Sequence, residues 1–310
     1  MKKIKRLLAL LCVGAMLAVS AGCGSGGNGS KTIAFVSHDD LANFPGALYN
    51  DVKEEAEKQG YQVEVTNAKM DANAQIDQMN EVIAKKPAAI ILLPVDANAT
   101  LPAVKKANEE KIPILVTNRD IADGAQVAQV HSDERQAGRL QGEYMAKHLK
   151  QGAKIVYLFG DVTQVSARER WEGFKEACLD KRPDIQLLAS GDGAWNSSNG
   201  MKYMTLWLRA FPEIDAVVSG NDAMALGAIS AMKAAGRQNG VLVTGIDADS
   251  GALKAIAAGE MSQTIKQDPT ATASKIFELV QSMISGGQSN DDEKVDFIEI
   301  TKDNIGQFVK

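Results

Sequence analysis

Ten short apolar or β-branched runs recur along this chain with amphipathic stretches between them, and that alternation leaves few folds open. The runs fall at residues 32–36, 61–65, 89–93, 112–116, 127–130, 154–159, 185–189, 216–219, 241–246 and 262–265. The stretches between most of them have a helical period. Val52 and Ala56 lie on one face with Glu54, Glu55 and Lys58 directed away from it, and Ile76, Met79, Val82 and Ile83 form another apolar stripe. Strands that alternate with helices of about a dozen residues build βαβ units and parallel sheets. Ala89-Ile90-Ile91-Leu92-Leu93 is apolar throughout, as a strand covered on both faces requires. Gly60, Pro87, Pro113, Gly152, Pro183, Pro212 and Gly240 punctuate the units. Ten strands are too many for one comfortable open parallel sheet. The fold class expected is α/β, with two doubly wound parallel-sheet domains. The polar stretch His131-Ser132-Asp133-Glu134-Arg135 is the best candidate for a crossing between them.

The first 30 residues have a different character. Lys2, Lys3, Lys5 and Arg6 precede an apolar run over residues 7–19, and Ser20-Ala21-Gly22-Cys23 reads as a small-residue processing site ending in a cysteine. This is the layout of a secretory signal, with an apolar run too short to span a bilayer. It resembles a bacterial lipoprotein signal, in which Cys23 becomes the lipidated first residue of the mature chain. Ser20 stands where such signals usually carry a branched aliphatic residue, and the competing reading is an ordinary cleaved signal. Residues 24–30 contain only Gly, Ser and Asn and form a flexible tether of about 15 Å reach. The expectation is a signal peptide over 1–22, a lipid-anchored tether over 23–30, and an extracytoplasmic domain, periplasmic or at the cell surface.

Four of the 34 Lys and Arg and none of the 39 Asp and Glu leave with residues 1–22, so 288 residues of formal charge −9 remain. An acidic chain without a basic cluster is a poor match for nucleic acid. Of three cysteines, Cys12 lies in the signal and Cys23 at its end. Cys178 remains alone, which excludes an intramolecular disulfide, and its neighbours Phe174, Ala177 and Leu179 give it the role of a small buried residue. Ser289-Asn290-Asp291-Asp292-Glu293 reads as an acidic surface loop without calcium-loop spacing.

Three segments at or after strand ends carry a family likeness: Arg168-Glu169-Arg170-Trp171-Glu172-Gly173-Phe174, Asn221-Asp222-Ala223-Met224-Ala225-Leu226-Gly227 and Gly245-Ile246-Asp247. From Thr32 onward the chain resembles the periplasmic sugar-binding proteins of the ribose, galactose and inositol group. Repressor effector domains share this fold, but they follow a DNA-binding helix-turn-helix, and here an export signal stands in that place. The resemblance implies the type I periplasmic binding protein fold, with two lobes joined by three crossings and a monosaccharide in the cleft. The crossings map near Ser132, Gln267 and Asp296. That gives an N-terminal lobe of 31–131 plus 268–296 and a C-terminal lobe of 132–267 plus 297–310.

A sugar offers an apolar face of C–H groups and a rim of hydroxyls, so its site needs flat aromatics and many hydrogen-bonding groups. The resemblance puts Phe44 and Trp195 at the positions whose rings sandwich the sugar, with Pro45 where a second aromatic is common. Trp171 and Trp207, at helical spacing from apolar residues, are core. For the hydroxyl rim the candidates are Asn118, Arg119, Arg168, Asn221, Asp247 and Gln267, with Asp40 reaching from the first loop. Paired Asp and Arg suit a neutral polyol, because the carboxylate accepts hydroxyl protons and the guanidinium donates to their oxygens. A single Asn or Asp at a strand end has a competing role as a helix cap. Asn118, in a place where ribose binders carry Asp, leans toward hexose or inositol, and Leu93 stands where many relatives carry Asn. The galactose branch's calcium loop has no room in the short turn at Gln151-Gly152, so neither metal nor cofactor is implied.

Catalysis has no support in the sequence. His38, His131 and His148 are far apart, and neither a Gly-x-Ser-x-Gly motif nor a phosphate loop follows a strand. His38 does lie at the end of the first strand run, in reach of a ligand. The expectation is a monomeric, tethered receptor that closes on a sugar or cyclic polyol and delivers it to the membrane permease of an ABC importer. The competing function is a ligand-sensing receptor coupled to a chemoreceptor or histidine kinase.

Overall fold

A computed structural model describes residues 30–39, 41, 43–122, 124–287 and 290–309. The signal, Cys23 and Asp40 lie outside the described residues. The first sheet contains β1 (Thr32–Ser37), β2 (Gln62–Asn67), β3 (Ala89–Leu92), β4 (Ile114–Thr117), β5 (Ala128–Ser132) and β11 (Asp292–Val295), in the order β11-β5-β4-β3-β1-β2 and all parallel. The second contains β6 (Lys154–Phe159), β7 (Gln186–Asp192), β8 (Ala216–Ser219), β9 (Leu242–Ile246), β10 (Gln263–Lys266) and β12 (Ile298–Thr301). Its order is β12-β10-β9-β8-β6-β7, and β12 alone is antiparallel. The two doubly wound domains expected from the strand runs are present.

Period-2 alternation divides each core into two layers. In the first sheet, Ile33 and Phe35 pack against Leu48 and Val52 of α1 (Asn43–Lys58) and Ile276 and Val280 of α9 (Pro269–Ile284). Ala34 and Val36 pack on the other face, against α2 (Ala72–Ala84) and α3 (Leu101–Glu109). In the second sheet, Val156 and Leu158 meet α6 (Ser197–Ala210), α7 (Asp222–Ala234) and α8 (Ser250–Ala257). Ile155 and Tyr157 instead meet α4 (Glu134–His148) and α5 (Val165–Phe174). β3, β4 and β8 are buried on both faces, and each large aliphatic side chain enclosed there contributes roughly 1.5–3 kcal/mol. Trp207 and Cys178 are core residues, and Trp171 joins a ring cluster with Tyr157, Phe159 and Phe174.

The chain passes between the sheets after β5, after β10, and between β11 and β12. Asp133 caps α4 through the Gln136 amide at 2.9 Å, and Gln136 Oε1 accepts the Phe297 amide at 2.7 Å, tying the first and third passages together. Asp268 caps α9 at the second passage. The structure departs from the sequence reading at 292–295, where a strand replaces part of the acidic loop. This segment, Asp-Glu-Lys-Val, lacks an apolar face and pairs along the open edge of β5, so backbone hydrogen bonding and not side-chain burial makes it a strand.

Candidate functional site

The carboxyl ends of both parallel sheets face one cleft, as ligand sites in open α/β sheets do. A cavity of about 480 Å³ lies there, lined from the first lobe by His38, Asp39, Phe44, Asn118 and Arg119, and from the second by Glu134, Gln164, Arg170, Trp195, Asn221 and Asp247, with Gln267 at a crossing. It adjoins a second chamber of about 410 Å³, and Asn118, Arg119, Glu134, Asp161 and Gln164 line both. Of the residues selected from the sequence, Phe44, Asn118, Arg119, Trp195, Asn221, Asp247 and Gln267 therefore share one cavity.

Arg168 does not join them. It is exposed, and its guanidinium donates to the carbonyls of Val162 and Thr163 at 3.2 and 2.7 Å, bracing the loop before α5. Arg170 occupies the cleft instead. It is 4% exposed, bonded through Nε to Glu134 Oε2 at 2.5 Å and through Nη1 to Gly220 O at 2.7 Å. Its guanidinium lies 5.3 Å from the Trp195 ring. Burial opposes its charge, but Glu134 and Asp247 outweigh that and raise its pKa. The helix crossing that places Arg170 depends on close backbone approach: a Cβ on Gly138 of α4 would sit 1.9 Å from the Arg170 carbonyl oxygen.

Trp195 is held by its surroundings. Its Nε1 donates to Gln164 Oε1 at 3.2 Å and its carbonyl accepts Asn221 Nδ2 at 3.2 Å. The six-membered ring covers Gly160 so closely that a Cβ there would lie 2.2 Å from it. Asn221 also caps α7 by accepting the Met224 amide at 3.0 Å, so the cap role and the cleft position coincide in one residue. Phe44, in the first turn of α1, lines the cavity from the other lobe.

Positive φ angles collect in these loops, at Asn118 (67°), Ala194 and Trp195 (46° and 60°), and Asp247 and Ala248 (124° and 57°). Each such residue costs on the order of 1–3 kcal/mol, and strain of this kind persists where surrounding structure fixes a functional geometry. Desolvation pushes the Asp247 carboxyl well above the usual range, despite the opposing charge of Arg170, and Gln267 Nε2 donates to it at 3.3 Å. Across the cleft, burial lowers the Arg119 pKa while Asp39 and Asp161 support its charge.

Asp222 braces the strand end that carries Asp247. It is fully buried, accepts Thr264 Oγ1 at 2.7 Å and the Asp249 amide at 2.9 Å, and burial pushes its carboxyl from 3.8 up to about 7. The folded chain thus holds a proton that the unfolded chain releases near the ordinary Asp value. The resulting stability is full below that value and is lost as pH rises through about 7. Asp222→Asn, which keeps the shape of the neutral acid, should flatten the fall in melting temperature between pH 4.5 and 7.5. An unchanged slope in the variant would show that Asp222 is not the titrating group.

Sequence reasoning missed Arg170, Glu134 and Gln164 as cleft residues. For Arg170 a signal existed, since it shares a helical face with the buried Ala167, Gly173 and Phe174. Among the described residues no cluster of His, Cys, Asp and Glu could hold a metal ion, and no helix is long and apolar enough to cross a membrane.

A periplasmic binding protein domain model matches residues 33–288. The chain is 30% identical to the ribose import binding protein of Salmonella typhimurium, over 92% of this chain and 94% of that one. It is 32% identical to the D-apiose import binding protein of Actinobacillus succinogenes, over 100% of this chain and 98% of that one. Among solved structures it matches an ABC transporter solute binding protein from Bacillus halodurans with bound myo-inositol, at 30% identity and a TM-score of 0.83, covering 91% and 98% of the two chains. An Actinobacillus succinogenes solute binding protein with bound D-allose matches at 25% identity and a TM-score of 0.84, covering 89% and 99%. Two parallel-sheet lobes closing on one polar, aromatic-walled cleft agree with these matches, and the chain belongs to the periplasmic binding protein family, as an extracytoplasmic solute-binding protein and not an enzyme.

Proposed function

We propose that this protein captures a neutral monosaccharide or cyclic polyol, of hexose or inositol type, in the interlobe cavity and delivers it to the permease of an ABC importer. The observation that carries this reading is the pairing of Phe44 and Trp195 from opposite lobes with Asn118, Arg119, Arg170, Asp247 and Gln267 around a single cavity. Rings suit the C–H face of a sugar, and alternating carboxylates, amides and guanidinium groups suit its hydroxyls. The myo-inositol and D-allose held by the two solved relatives are ligands of that size and polarity.

The lobes, 31–131 plus 268–296 and 132–267 plus 297–310, close as a hinge about the three passages, and the protein acts as a monomer. Cys23 carries the lipid that keeps it at the membrane. The support for the anchor is the charged, apolar and small-residue order of the first 23 residues. Cys23→Ser should move the protein from the membrane to the soluble fraction of fractionated cells, and retention at the membrane would argue against lipidation.

Titration with myo-inositol, D-ribose, D-apiose and D-allose should change tryptophan emission for at least one of them and raise the melting temperature, because a ligand bound only by the folded state stabilises it. Deleting the gene should abolish uptake of that radiolabelled compound. Normal uptake in the deletion strain would remove the import role.

A further inference from the structure

His38 follows β1 in the cleft wall and is 5% exposed. Its Nε2 lies 2.9 Å from Asn118 Oδ1, while its buried Nδ1 has no hydrogen-bond partner among the described residues. Two arrangements could satisfy such a contact. Either an Nε2–H donates to the amide oxygen, or a turned amide donates its NH₂ to a bare Nε2. The second puts the ring proton on Nδ1, leaving a buried N–H donor with no acceptor. Orphaned donors are rarer in folded proteins than under-used acceptors. The first leaves only an idle lone pair at Nδ1.

We propose that His38, as its Nε2–H tautomer, is a positioning residue that fixes the Asn118 amide with its oxygen toward His38 and its NH₂ toward the cleft, making Asn118 a hydrogen-bond donor to the ligand. The ring carries a single proton at neutral pH, because burial first and the Arg119 charge second hold its pKa down to about 4. Asn118 sits at a φ of 67°, a conformation Asn reaches more easily than most residues. Among the described residues no acceptor is bonded to its Nδ2. Arg119 beside it is also purely a donor, and carboxylates reach the same cavity from both lobes, Asp39 from the first and Asp247 and Glu134 from the second.

A hydroxyl bridging the lobes therefore accepts from Asn118 and donates to a carboxylate opposite. Resting on the polyol reading above, this sets a specificity rule: the ligand must present an oxygen to Asn118. A methylene or an ammonium group there offers no lone pair and is rejected.

Long-range proton–nitrogen NMR of ¹⁵N-labelled protein tests the tautomer directly, with the His38 signals identified by their loss in His38→Gln. The expected result at pH 7 is a protonated, pyrrole-type Nε2 and a pyridine-type Nδ1. A proton on Nδ1, or a mixture of tautomers, overturns the proposal. Asn118→Asp, which places an anion against the ring, should raise the His38 pKa, and no change would count against the contact. In calorimetric titrations with myo-inositol, D-ribose and D-allose, His38→Gln can still donate to Oδ1 and should bind within about threefold of wild type. His38→Leu should bind roughly tenfold more weakly, the loss of one hydrogen bond. Equal affinities for the Gln and Leu variants would also overturn the positioning role. Should wild type bind none of the three compounds, the polyol reading is what fails, and the tautomer measurement still decides this proposal alone.

Discussion

Arg170→Met is expected to weaken ligand binding roughly 100-fold or more and to destabilise the fold by about 3 kcal/mol, whereas Arg168→Ala should leave both nearly unchanged. The two arginines are two residues apart on one helix, and the difference between them is environment. Arg170 is enclosed, and its removal leaves the Glu134 carboxylate without its partner and Asp247 without the charge that holds its pKa down. Breaking one side of a buried pair costs far more than the pair's net contribution, because the surviving charge stays desolvated. Arg168 is in solvent, where two hydrogen bonds to loop carbonyls are largely replaced by water. The double variant Arg170→Met/Glu134→Gln separates the effects. Removing both charges should recover much of the stability without restoring affinity, since the guanidinium proposed to donate to ligand oxygens is still missing. Calorimetric affinity and denaturant unfolding of the four proteins measure this. Wild-type binding by Arg170→Met, or a large loss in Arg168→Ala, would place the ligand elsewhere.

That contrast marks where sequence reading succeeds and where it stops. Most of the ten apolar runs were legible as strands because they are buried on at least one face, so burial wrote itself into composition, whereas the edge strands β2 and β7 bury little and carry only a weaker form of that signal. β11 was not legible. Its side chains are largely solvated, and only the unpaired edge of β5, a tertiary fact, makes Asp292–Val295 a strand. β12, by contrast, carries apolar Ile298 and Ile300 in alternation and could have been read from that pattern. At the cleft, strand-end positions such as Asn118, Asn221 and Asp247 followed from topology, because parallel sheets deliver their carboxyl ends to one crevice. Helix residues followed less well. Choosing Arg168 over Arg170 took the helix start as the criterion, when the buried face through Ala167, Gly173 and Phe174 was the physical one. His38 gave no local signal for its partner, since its contact with Asn118 spans 80 residues and depends on β1 and β4 flanking β3.

Gly160→Ala should abolish high-affinity binding through Trp195 without touching a ligand-facing side chain. A Cβ at position 160 would stand 2.2 Å from ring carbons of Trp195, against roughly 3.5 Å for carbons in contact, so the ring must shift by more than about 1 Å. It cannot shift freely, because Nε1 is bonded to Gln164, the carbonyl is bonded to Asn221, and the backbone already sits at positive φ. The expected result is a stability loss of about 1–3 kcal/mol from overpacking, and an affinity loss of roughly 30-fold or more as the aromatic wall tilts. Truncating the ring removes the clash, so Gly160→Ala should cost little further stability in a Trp195→Ala background. The cycle should therefore be strongly non-additive. Tryptophan emission gives a second reading: Trp171 lies in a ring cluster and Trp207 is buried, so the change caused by Gly160→Ala should vanish when Trp195 is absent. Additive stability changes, with ligand affinity kept in Gly160→Ala, would mean that the indole is free to move and is not the rigid wall its contacts describe.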